Sequence, residues 1–142
     1  MNFKNLFSKE EKQTSVSDFR VGQKWKYKSR QVDAGSTLII TKIETYNELG
    51  TIVHISLSGL SLKNERFGDK EISEVQHLPV EIEALRESVT ELIEENSTLP
   101  NYEFGYVRWK EAFNQEKAGY FAIPLREAVQ YLENGTYQER KH

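Results

Sequence analysis

Cysteine is absent from the 142 residues, which excludes disulfides, cysteine zinc sites, iron–sulfur clusters and thiol catalysis. Proline occurs three times, and no Pro/Gly/Ser-rich stretch divides the chain, so a single domain is expected. No window approaches the roughly 20 apolar residues of a membrane span, and MNFKNLFSKEEKQTS lacks the apolar core of a signal peptide. A cytoplasmic location is therefore expected. The phosphate-binding patterns GxxxxGK[ST] and GxGxxG, the GxSxG elbow and the HExxH and HxH metal patterns are all missing, and neither a metal nor a cofactor is expected. There is no internal repeat and no low-complexity run.

What is present is a polar sequence with bulky side chains. Charged residues make up 29% and apolar ones 37%, while seven Phe, seven Tyr and two Trp supply volume for a core. The net charge of −3 is unevenly spread. Residues 1–45 hold nine Lys/Arg against five Asp/Glu, and residues 46–142 hold ten against seventeen. That overall balance lacks the basic excess usual in nucleic-acid-binding domains.

The pattern starts with VGQKWKYKSR at 21–30. As a strand it puts Trp25 and Tyr27 on one face and Lys24, Lys26, Lys28 and Arg30 on the other. TLIITKIET (37–45) and TIVHISLSGL (51–60) follow as β-branched strands joined by a connection of hairpin length. In the second, Val53, Ile55 and Leu57 alternate with His54, Ser56 and Ser58, which predicts His54 on the polar side of the sheet. Residues 71–78 form a possible fourth strand. From Pro79 the apolar spacing lengthens: Ile82, Leu85, Val89, Leu92 and Ile93 predict an acidic helix over 80–96. Tyr102, Tyr106, Trp109 and Phe113 give a second helix an aromatic stripe over 102–117, core packing being favoured over a ligand cleft. A short strand at 120–123 precedes a last helix opened by Pro124. Strands first and helices after predict an α+β fold: an antiparallel sheet of three to four strands, two helices on its apolar face, a short strand and a C-terminal helix. Residues 1–17 are expected to be a weakly ordered polar lead-in, 18–135 the domain, and 136–142 a tail.

Three functional classes follow. A non-catalytic binding or adaptor module would contact a protein, or a second copy, through Lys24, Lys26, Lys28, Arg30 and His54 or through the acidic helix. A nucleic-acid-binding module would run phosphates along the four cations. A small enzyme would pair His54 or His77 with a glutamate as acid and base. The first is favoured, because Trp25 and Tyr27 face away from the cations and no carboxylate stands at a recognisable spacing from either histidine.

Taken together, GQKWKY, STLIITKIE, IVHISLSGL, HLP, YVRWKEAF and AGYFAIPLREAVQYLE resemble small single-domain bacterial proteins over most of 21–133. The resemblance implies one bacterial-type domain and brings no activity, cofactor or site residue with it.

Overall fold

In the computed structural model the described residues are 19–68 and 70–135, so the expected lead-in 1–17 and tail 136–142 lie outside them. Strands β1 (Lys24–Tyr27), β2 (Thr37–Tyr46), β3 (Gly50–Leu62) and β4 (Ile72–Glu81) form an antiparallel meander. A short helix α1 (Ile82–Ser88) then leads to β5 (Val89–Glu94), which pairs antiparallel with β1 and gives the order β4-β3-β2-β1-β5. Helices α2 (Glu103–Asn114) and α3 (Leu125–Asn134) complete an α+β fold. Strands at the two edges of a flat five-stranded sheet stand about 19 Å apart. A seven-residue helix rises only about 10 Å, so the sheet curls to let α1 join them.

The apolar face carries the alternating side chains of the strands. Leu38, Ile40, Val53, Ile55 and Val80 are all fully buried there, against Leu85 of α1 and Leu125 and Ala128 of α3. Tyr27 is buried in this core and Trp25 packs half-buried at its margin. Ser88 ties the two helices together: its hydroxyl donates to the Ala84 carbonyl at 2.9 Å and accepts from the Leu125 amide at 3.0 Å. Gly59, at φ +77°, turns β3 where a Cβ would lie 3.1 Å from the Ser36 backbone.

The helix expected over 80–96 is half strand. It stops at Ser88, and Val89–Glu94 pairs with β1 through the register Tyr27↔Val89, Lys26↔Glu91, Trp25↔Leu92 and Lys24↔Glu94. Two irregularities each insert one extra residue in β5, and the one between Val89 and Glu91 sets Val89 and Leu92, the partners of Tyr27 and Trp25, at a spacing of three. A strand period of two plus one bulge residue imitates a helical spacing. Pro79, read as a helix opener, lies in edge strand β4, where a missing N–H is tolerated. The strand expected at 120–123 reduces to a bridge between Val80 and Phe121.

Helix α2 departs further from expectation. It packs on the opposite, polar face of the sheet, leaving α1 and α3 on the apolar one.

Candidate functional site

On the polar face, β2, β3 and β4 set Lys42, His54 and Pro79 side by side. The β2–β3 hairpin also puts Glu44 opposite Ile52, one diagonal step from His54. His54 Nε2 lies 2.9 Å from Glu44 Oε1, and His54 Nδ1 lies 2.9 Å from His77 Nε2, so Glu44, His54 and His77 form a chain. From above, Tyr106 of α2 donates its hydroxyl to Glu44 Oε2. The Tyr46 hydroxyl donates to Oε1 at 2.8 Å and accepts from Lys110 Nζ at 2.5 Å.

Hydrogen-bond logic assigns the protons. Burial holds the His54 pKa below its ordinary value against the pull of Glu44, so the ring is neutral near pH 7. A neutral ring that donates from Nε2 to a carboxylate must accept at Nδ1, which makes His77 the donor from its Nε2. Burial and the neighbouring His54 push His77 down to about 4. Burial alone would raise Glu44, but the hydrogen bonds from Tyr106, Tyr46 and His54 outweigh it and bring it down to about 2. Burial and then the Glu44 carboxylate raise Tyr106, which stays a phenol. One carboxylate thus accepts from three neutral donors, with Lys110 at 3.7 Å as counter-charge.

Aromatic packing seals the cluster. His54 has no exposed surface, and it meets the rings of Tyr106 and Trp109 edge-on at 5.1 and 5.0 Å. Trp109 stacks on Phe113 at 4.5 Å and donates its indole N–H to the Gly119 carbonyl at 2.7 Å. The aromatic stripe is therefore a second core. Gly105 is needed for its close approach, since a Cβ there would stand 3.0 Å from the Cβ of His77.

None of the main surface hollows is lined by Glu44, His54 or His77. Among the described residues no group of three or more His, Asp or Glu is arranged to hold a metal ion. A general base must reach a substrate proton, and here both ring nitrogens of His54 and both oxygens of Glu44 are engaged within the cluster. The geometry fastens α2 to the sheet.

The residues singled out in the sequence are dispersed. His54 does not lie on an accessible face, because α2 covers it. Arg30 is not part of an open cationic strip either. Its Nε and Nη2 grip Asp33 at 2.6 and 3.2 Å, Nη1 reaches Glu133 at 2.7 Å, and Nη2 donates to the Ser61 carbonyl at 3.1 Å. Asp33 is 1% exposed and also accepts from the Ser61 amide at 2.8 Å, so Arg30 fastens the end of β1 to α3. Lys26 pairs with Glu91 at 3.6 Å, and Lys24 stands opposite Glu94, so the basic strand is flanked by acids of the segment expected to be an acidic helix. Lys28 is exposed.

The chain from β5 to α2 crosses the polar face at Pro100, which together with Ile39, Ser56, Ser58, Glu74 and Gln76 borders a cleft of about 220 Å³. Beyond that strap a register row runs across all five strands: Glu91, Lys26, Thr37, Ser58 and Glu74. The row is exposed except for the half-buried Thr37.

Sequence reasoning missed Glu44, Tyr46, Tyr106 and Lys110 as partners of the histidines. The hairpin register carried a signal for Glu44, since a connection at 47–49 sets it near His54. Tyr46, two residues on along the same strand face, carried the same local signal, whereas nothing in the sequence signalled Tyr106 and Lys110, because α2 meets the sheet only through tertiary packing. Comparison with protein-family models, curated proteins and solved structures finds no match for this chain.

Proposed function

We propose that this protein is a non-catalytic binding module of the bacterial cytoplasm that contacts a protein partner through the open row of its polar sheet face. The observation that carries the proposal is the row itself: two acids at its ends, a lysine and two hydroxyls between them, and, among the described residues, no helix over it. Both signs of charge with hydroxyl donors and acceptors suit a polar protein surface. Lys24 and Lys26 remain contact residues in this reading, and Lys28 flanks them. Arg30 and His54 support the scaffold. An origin in a reducing compartment agrees with the absence of cysteine. The nucleic-acid reading draws less support, because a phosphate backbone along the lysines would also meet Glu91 and Glu94. The enzyme reading draws less support, because among the described residues none of the main hollows is lined by His54 or His77.

The test is recovery of bound proteins from an extract of the source cells with wild type and with Thr37→Arg/Ser58→Arg. Loss of a specific protein with the variant, at unchanged thermal stability, is the expected result. Recovery of the same proteins by both would refute the reading, and a salt-sensitive complex with RNA or DNA would transfer it to the lysines.

A further inference from the structure

The segment joining α2 to α3 runs along the edge of the sheet at β4. Phe121 donates its N–H to the Pro79 carbonyl at 2.9 Å and accepts from the Glu81 amide at 2.8 Å, so both of its main-chain groups point at β4. In an extended chain the N–H and C=O of successive residues alternate in direction, so those of Tyr120 and Ala122 point away from it. None of these outward groups makes a hydrogen bond among the described residues. A cavity of about 450 Å³ adjoins this open edge. Gly119, Phe121, Ile123 and Tyr131 line it, with the Phe121 and Tyr131 ring centres 6.3 Å apart. Exposed Lys117 borders it and has no ion-pair partner among the described residues.

We propose that this edge takes a further strand: an extended segment of a partner protein, with an apolar side chain in the cavity and an acidic one towards Lys117. The unpaired main chain decides the class of occupant. Another extended backbone satisfies outward N–H and C=O groups together, whereas a small apolar molecule would fill the cavity and leave them unpaired. The cavity has the size of an ordinary ligand pocket and is walled by aromatic and aliphatic side chains, so it selects for apolar bulk. Lys117, the one charged residue bordering it, supplies the complementary charge for an acid. Gly119 keeps the cavity open. A Cβ there would meet nothing within 4 Å and the residue has no positive φ, so neither packing nor backbone conformation requires a glycine. Only two residues offer outward groups, so the contact is short and dissociation is on the order of 10 µM or above. Glu74, where the open sheet row ends, and Val80, beside Phe121, stand about 20 Å apart along β4, so the site is separate from the proposed function.

Selection from a random peptide library displayed on phage, against the whole protein, supplies the probe, and amide hydrogen exchange followed by NMR reads the site. In the free protein the Tyr120 and Ala122 amides should exchange rapidly, and a selected peptide at about ten times its Kd should slow both by about tenfold. The selected sequences should share an apolar residue and an acid. Gly119→Leu, which puts a side chain into the cavity, should weaken their binding by about tenfold or more, and Lys117→Glu by about fivefold. Ala122→Pro removes an outward N–H that no internal bond uses and should also weaken binding, by about tenfold. Thermal unfolding of Gly119→Leu and Lys117→Glu should match wild type, so the result stands even where the proline disturbs the loop. Thr37→Arg/Ser58→Arg should leave the peptide bound. Failure to select any peptide overturns the proposal, as does a peptide that binds Gly119→Leu as well as wild type or leaves both amides exchanging freely. Protection of those amides in the free protein also overturns it, since the edge is then taken by the chain's own terminal residues or by a second copy.

Discussion

Replacing Glu44 by Gln would remove the charge on which His54, Tyr46 and Tyr106 converge while keeping the side chain's size. Two independent estimates of the cost agree. A pKa lowered from 4.5 to about 2 corresponds to about 3 kcal/mol of differential stabilisation of the carboxylate. Hydrogen bonds to a charged acceptor contribute about 1.5–3 kcal/mol each, and Gln keeps one of the two oxygens, which gives a loss of about 2–4 kcal/mol. The sign follows from linkage. The folded pKa lies below the unfolded one, so the contribution is complete above pH 4.5 and fades as pH falls towards 2. Urea unfolding of wild type and Glu44→Gln should therefore differ by about 2–4 kcal/mol at pH 7, and the difference should shrink between pH 4.5 and 2. A difference below about 0.5 kcal/mol at pH 7, or one that does not change with acid, would show that the carboxylate is not what holds α2 on the sheet.

His77 adds a second acid-sensitive window. Its pKa of about 4 in the fold, against 6.5 when free, means that stability is complete above pH 6.5 and is lost as pH falls through 4, by up to about 3 kcal/mol. His77→Gln should flatten that part of the stability-against-pH curve, which a urea series from pH 7 to 4 checks. Gly105→Ala should destabilise by about 1–2 kcal/mol despite alanine's better helix propensity, because its Cβ would strike His77, and circular dichroism melts will read the shift. Arg30→Ala should cost about 3–5 kcal/mol by stranding buried Asp33, whereas Lys26→Ala, in an exposed pair, should change urea stability by less than about 1 kcal/mol.

By itself the sequence determined the α+β class, the meander of β1 to β4 and the buried identity of its alternating residues. These depend on a period of two and on local turn residues, which a few neighbouring positions encode. It also determined α2 and α3, whose stripes are unbroken. Tertiary structure decided the remainder. Val89 and Leu92 lie three apart in a helix and equally in a bulged strand, and only the presence of β1 as a partner, together with the Ser88 contacts to α3, selects the strand. The face that α2 covers was likewise not written in its stripe. Aromatic rings pack on aliphatic or histidine surfaces alike, and the choice came from the match of Tyr106 and Lys110 to Glu44. That match buried His54, while the fold of α3 onto the end of β1 withdrew Arg30 from the surface. Both residues carry polar groups that water or a protein partner can satisfy equally well, and contacts distant in sequence made the choice.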